Sequence, residues 1–248
     1  MKTHFKIIIP VYNAEKWISL CLRSVKAQTY RNYECLVVDD FSTDLTREII
    51  KREIGDSYQI RLVEPEERGY PLGSLNLAIE SAKMEDEDVI AVLDGDDWFA
   101  RKESLEILAK TYEETNCSLT YGSYVEYPTK VRGKFAKKVP QFVIESKAFR
   151  QSEWMTSHMR TFKYKLWKNI KKEDLCDEDG KYYKRAGDLA AMYPMLEMAG
   201  DKIEYVEDVV YVYNRANPLN EDKVDHSEQL RIEAKLRQGK PYNILEEE

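Results

Sequence analysis

The chain has 248 residues, with 38 basic and 45 acidic side chains, a formal net charge of −7 and 43% hydrophobic residues. That length suits one generous domain, or one domain with an appendage. The hydrophobic share is enough for a core, which excludes wholesale disorder and a collagen-like polymer. The acidic balance argues against general nucleic-acid binding, whose affinity comes from neutralising phosphates with lysine and arginine.

Apolar stretches such as 7–14 and 89–93 fall far short of the roughly 20 residues needed to cross a bilayer, so no membrane span is expected. The first residues run straight into a strand-like segment with no signal-peptide hydrophobic region or small-residue cleavage site, and a cytoplasmic protein is the expectation. Four cysteines, Cys21, Cys35, Cys117 and Cys176, form no CxxC pair. They read as small buried apolar residues, not as zinc ligands or a disulfide framework.

Residues 6–11 form a β-branched run, the first expected strand. After Asn13, a plausible helix cap, Trp17, Leu20, Cys21 and Val25 recur at helical spacing and mark one apolar face. A second strand is expected at 34–38, a helix capped by Ser42 or Thr43 and striped by Leu45, Ile49 and Ile50, and a third strand at 60–63. Leu72, Leu75, Ile79 and Ala82 stripe the next helix before a strongly buried strand at 88–93; Leu105, Leu108, Ala109 and Tyr112 stripe another before a strand at 118–125. This β-α-β repetition predicts a Rossmann-like, mostly parallel sheet with right-handed crossovers and helices on both faces.

After Tyr127 the regularity fades. The stretch 127–144 carries Lys130, Arg132, Lys134, Lys137 and Lys138 and no acid; it reads as a solvated loop, with a lid meeting an anionic acceptor or a lipid surface as the alternative. Helices are expected at 162–170 and 188–199, strands at 203–206 and 209–213, and a highly charged helix at 226–238. No internal repeat or Pro/Gly/Ser-rich linker marks a domain boundary.

Ligands of an open parallel sheet bind beyond the carboxyl ends of its strands. Three such ends are polar here: Pro10-Val11-Tyr12-Asn13, Asp39-Asp40-Phe41-Ser42-Thr43-Asp44 and Asp94-Gly95-Asp96-Asp97-Trp98. So many carboxylates on one rim raise one another's pKa, and a divalent cation relieves that conflict. Oxygen ligands suit magnesium or manganese, which take one or two protein carboxylates and fill their shells with phosphates and waters. An isolated D-x-D in a turn is more often a solvated loop or helix cap, but this one follows directly on the apolar run 89–93.

Taken in order and spacing, Ile9-Pro10-Val11-Tyr12-Asn13, Val37-Val38-Asp39-Asp40-Phe41-Ser42-Thr43-Asp44 and Val92-Leu93-Asp94-Gly95-Asp96-Asp97-Trp98 resemble the family 2 glycosyltransferases with the GT-A fold. The likeness covers roughly the first 125 residues. It implies that Pro10, Val11, Tyr12 and Asn13 line a nucleotide pocket, with Pro10, Val11 and Tyr12 flanking the base. It implies that Asp40, supported by Asp39, contacts the base or ribose. It further implies that Asp94, Gly95 and Asp96 meet the nucleotide, and that Asp96 and Asp97 bind the metal bridging its diphosphate. Where relatives carry Ala-Arg-Asn this chain has Ser74-Leu75-Asn76, and Arg68 is the candidate to replace the missing cation.

The resemblance also implies a late aspartate at the head of a helix, acting as the base that deprotonates an acceptor hydroxyl. Asp188 in Arg185-Ala186-Gly187-Asp188 fits it, although capping and the helix dipole favour an aspartate there too. His226 is the late histidine that would close onto the metal. Trp98, Trp154, His158 and Arg160 are candidates for sugar or phosphate contacts, with ordinary packing as the competing reading for Trp154 and His158. Tyr211-Val212-Tyr213-Asn214-Arg215 resembles the family's Y-x-Y-R segment, which places Arg215 near diphosphate charge.

The implied protein is an inverting, metal-dependent GT-A transferase using a nucleotide-sugar donor, a UDP-sugar by preference, and a carbohydrate acceptor. Residues 1–125 would form the donor half, 126–225 a less regular acceptor and catalytic half, and 226–248 a charged helix and tail. Peripheral contact with a lipid-linked acceptor and the oligomeric state stay open. The rivals are a nucleotidyltransferase, disfavoured because 9–15 holds neither glycine nor lysine or arginine, and a silent sugar-nucleotide-binding protein.

Overall fold

The computed structural model describes residues 2–220 and 226–246. In the first strand, Phe5–Val11 (β1), Ile8 packs into one hydrophobic cluster while Phe5, Ile7, Ile9 and Val11 pack into another. The same alternation separates Leu36 and Val38 from Cys35 and Val37 in Tyr33–Asp39 (β2). Period-two burial on both faces is the mark of a central strand covered by two helical layers.

Between these strands runs Ile18–Lys26 (α1); after them come Thr46–Ile54 (α2), Ile60–Val63 (β3), Tyr70–Glu80 (α3) and Val89–Val92 (β4). Trp98–Phe99 (β5), Ser104–Thr115 (α4), Leu119–Tyr127 (β6), Gln141–Glu145 (α5), Thr161–Lys163 (β7) and Tyr164–Trp167 (α6) follow. Gly187–Ala199 (α7), Ile203–Asn214 (β8) and His226–Arg237 (α8) complete the described elements. The sheet runs β3-β2-β1-β4-β7-β6-β8-β5. The apolar faces of α1 and α4 cover one side, and those of α3 and α7 the other.

The first four strands are parallel, as expected. Two expectations give way beyond them. Residues 162–170 do not form one helix: β7 enters antiparallel between β4 and β6, and only a single turn, α6, follows it. Its buried Thr161, Phe162 and Lys163 are too few to show a period. Likewise 203–213 is one strand, not two; β8 pairs in parallel with β6 through register shifts around Ser123, and a bulge of that kind breaks the alternation.

The early caps also differ from expectation. Asn13 lies outside α1 with φ 47°, and Thr46 N–H is met by Asp44 Oδ1, not by Ser42 or Thr43. At the other end of the chain, Arg150 forms a buried two-pronged ion pair with Glu197 of α7 at 2.6 and 3.0 Å, and donates to the Leu236 carbonyl of α8 at 2.6 Å. Together with buried Ile232 and Leu236, that bond seats α8 on α7.

Candidate active site

The three polar strand ends converge on a cleft of about 1020 Å³. Close packing makes the convergence possible at Gly95, where an added Cβ would lie 2.4 Å from Val11 Cβ. Gly95 N–H donates to the Pro10 carbonyl at 3.0 Å and Asp40 N–H to the Val11 carbonyl at 2.8 Å, so the loops after β1, β2 and β4 are stitched into one rim.

Pro10, Val11, Tyr12, Asp40 and Arg68 line one end of the cleft. The Asp40 carboxylate accepts the N–H groups of Gly69 and Tyr70 at 2.7 and 2.9 Å, at the start of α3, where a helix offers unpaired donors and positive potential. Arg68 Nε lies 3.5 Å from Asp40 Oδ2, and its guanidinium sits 3.7 Å from the centre of the Tyr12 ring and 4.7 Å from that of Tyr70. Asn13 and Asp39 do not line the cleft. Asn13 ties the first loop to the second through Ser42 and Thr43, and Asp39, wholly buried, accepts Ser42 N–H and Arg47 Nε–H.

Asp94, Gly95 and Asp96 line the middle. Asp97, expected beside Asp96 as a metal ligand, is instead wholly buried behind the rim. Its oxygens accept the Tyr211 hydroxyl at 2.6 Å and Asn214 N–H at 2.7 Å. The turn at Gly95-Asp96 makes the split: Asp96 leaves it toward the cleft, whereas Asp97, leading into β5, points back onto β8. Asp96 is held by Asn217 Nδ2 at 2.7 Å, and its carbonyl by Asn214 Nδ2 at 3.1 Å. Burial pushes the Asp97 carboxyl well above the usual carboxylate range, and Asp96 and Asp94 add to the effect. Asp94 is also raised by burial, and Arg160 pulls it back. Trp98 lies in β5, edge-on to Tyr127 at 5.3 Å, and does not face the cleft.

The far wall comes from the second half of the chain. Arg160, buried, donates to Asp188 Oδ2 at 2.9 Å and lies 4.0 Å from Asp94 Oδ2, joining the two acidic centres. Asp188 sits in the first turn of α7 with its side chain 32% exposed, placed there by the helix dipole and open to the cleft. His158 is stacked between Tyr211 and Tyr213 at 4.8 and 5.2 Å. Burial, reinforced by Arg160, pushes its imidazole well below the ordinary value, so it is neutral near pH 7. Trp154 lines the cleft edge-on to Tyr193, and Arg215 lines it beside Tyr213. The His226 side chain lies outside the described residues.

Other cleft residues carried no assignment in the sequence: Lys184, Arg185, and Gln229, Leu230, Glu233 and Arg237 of α8. Tyr211 enters the sequence reading only as the first residue of the Y-x-Y-R-like segment; that it braces Asp97 is shown by the structure alone. Tyr211→Phe keeps the ring stack but strips Asp97 of a donor. It is expected to cost roughly 1–3 kcal/mol of stability, read by urea denaturation; an unchanged midpoint would show that this bond does not hold the turn.

The family model for glycosyl transferase family 2 matches residues 6–177. The chain belongs to that family. It is therefore a glycosyltransferase, and its mixed sheet with helices on both faces is the GT-A fold. GlyG of Streptococcus pneumoniae is 28% identical over 222 residues, covering 87% of this chain and 72% of GlyG. WfgD of Escherichia coli, named a UDP-Glc:alpha-D-GlcNAc-diphosphoundecaprenol beta-1,3-glucosyltransferase, is 39% identical over 143 residues, covering 57% of this chain and 53% of WfgD. Among solved structures, S. aureus TarS in complex with UDP-GlcNAc superposes with a TM-score of 0.68 at 21% identity, over 94% of this chain and 66% of the TarS chain. Family membership sets the nucleotidyltransferase and silent-binder readings aside.

Proposed function

We propose that this family 2 glycosyltransferase moves a sugar from a UDP-sugar to a hydroxyl of a carbohydrate acceptor, with inversion and with a divalent cation. One observation carries the reading: Arg160 spans Asp94 and Asp188, so a candidate cation ligand and a candidate base share one wall of a cleft large enough for both substrates. Tyr12, Arg68 and Asp40 offer the base and ribose a ring, a cation and a carboxylate.

Asp94 and Asp96 are the cleft-facing carboxylates of the motif, and two carboxylates with a diphosphate suit manganese or magnesium. No cluster of three or more His, Cys, Asp or Glu side chains able to hold a metal occurs among the described residues, so in this reading the substrate diphosphate and water would have to supply the remaining ligands. A cation bound there would stabilise charge developing on the departing diphosphate. Asp188 takes the acceptor hydroxyl proton as that oxygen bonds to the anomeric carbon; the bond from that carbon to the diphosphate oxygen breaks with its electron pair. Arg160 holds Asp188 in place for the proton, and Arg215 stands where it offsets phosphate charge.

In this reading residues 1–125 bind the donor, 126–225 supply acceptor contacts and catalysis, and α8 walls the acceptor side. An acceptor carried on a lipid diphosphate, the class that WfgD's name states for that enzyme, is proposed here too. No helix is long and apolar enough to cross a membrane among the described residues, and all four cysteines are free and buried, which supports a reducing, cytoplasmic setting. The test is nucleotide release from UDP-glucose, UDP-N-acetylglucosamine and GDP-mannose with manganese, repeated in EDTA. Release from a UDP-sugar that chelation stops is expected. Turnover of nucleoside triphosphate with none of any sugar nucleotide would sink the proposal.

A further inference from the structure

We infer that residues 127–142 form a docking surface for an anionic lipid bilayer, and that docking turns the mouth of the cleft toward the membrane. The lipid-linked acceptor this would serve rests on the proposed function; the docking itself does not.

In a chain of net charge −7, the stretch 127–144 has five bases and no acid. Its path shows how those bases are displayed. Gly133, Ala136 and Val139 are buried at every third position, where the ribbon is pinned to the body. Gly133 N–H donates to the Tyr124 carbonyl at 3.0 Å, Lys137 N–H to that of Met155 at 3.3 Å, and Val139 N–H to the Tyr121 hydroxyl at 2.9 Å. Gly133 lies so close to the Tyr124 ring that a Cβ there would overlap it. A three-residue repeat with its small members inward leaves Lys134, Phe135, Lys137 and Lys138 outward, and all four are exposed.

Two of the five cations are engaged by the body of the protein, and three face no carboxylate among the described residues. Arg132 is engaged by the Ser123 hydroxyl and the Glu207 carbonyl, and Lys137 by exposed Glu153 at 3.2 Å. Lys130, Lys134 and Lys138 have no carboxylate within 4.0 Å among the described residues. Interleaved with them, Val131 is 61% and Phe142 66% exposed, and Phe135 37%. Cations alone would suit a nucleic acid equally well; cations alternating with exposed apolar side chains suit a bilayer interface, where headgroups take the charge and the acyl boundary takes the rings. Lys134 and Phe135 also line the cleft, so the ribbon runs from its mouth outward.

Flotation of the full chain with phosphatidylglycerol vesicles, against phosphatidylcholine vesicles, tests the inference. Wild type is expected to float with the anionic vesicles only and to be released by high salt. The double variant Lys130→Glu/Lys138→Glu is expected to lose at least about tenfold in vesicle affinity, and Phe142→Ser to lose severalfold at unchanged charge. Neither Lys130 nor Lys138 faces the cleft, so UDP-sugar hydrolysis in solution is expected to be the same in the double variant, which also verifies its fold. Equal binding to neutral vesicles, no binding to anionic ones, or capture by poly(U) RNA in place of vesicles overturns the docking surface. Flotation by a wild type that hydrolyses no sugar nucleotide overturns the proposed chemistry and leaves the docking surface standing.

Discussion

Asp188→Asn is expected to lower sugar transfer by roughly 10²–10⁴-fold, the range of a general base, while UDP-sugar affinity stays within about threefold. The reason lies in what the substitution keeps. The carboxamide oxygen still accepts from Arg160 Nη1, which lies 2.9 Å from Asp188 Oδ2, so the buried guanidinium is not stranded and the wall keeps its shape. What disappears is the capacity to take a proton. Single-turnover transfer and donor binding by calorimetry, on the same preparation, separate the two effects. A parallel collapse of donor binding would make Asp188 a structural counter-ion of Arg160, and the base would have to be sought elsewhere along the cleft.

Asp96→Ala is expected to weaken UDP binding at least tenfold to a hundredfold in manganese, since losing even a supporting partner of a metal ligand has effects of about that size. In EDTA the variant and wild type should bind UDP alike. That contrast is the informative part, because Asp96 also accepts from Asn217 and a general loosening of the rim would lower affinity with or without metal. An equal loss in both conditions would remove Asp96 from the cation shell. The same comparison made with Asp97→Asn should show a stability loss dominating, in keeping with its burial against Tyr211 and Asn214.

Much of the fold is legible in the residues because parallel strands covered on both faces must be apolar along their length, and β1 to β4 are short apolar runs separated by striped helices. The site is legible for a related reason: charged residues directly after such runs have nowhere to go but the rim. Pro10, Tyr12, Asp40, Asp94 and Asp96 reach the cleft as that argument requires. It fails within the motifs themselves. Asp39 and Asp40 are chemically identical neighbours, as are Asp96 and Asp97, yet one of each pair faces the cleft and the other is sealed into the scaffold. Nothing in composition or spacing ranks them, because the difference is which way a side chain leaves a tight turn.

The second half shows the other limit. β7 offers three residues, too few for a period, and its place between β4 and β6 depends on partners contributed from elsewhere in the chain. That placement sets Arg160 immediately before β7, between Asp94 and Asp188, and so creates the one ion-pair bridge on which the catalytic reading rests. Local order in this protein follows from side-chain periodicity, which each segment carries within itself. The meeting of Asp94, Arg160 and Asp188, 94 residues apart from first to last, follows from long-range strand pairing and packing, which no segment carries alone.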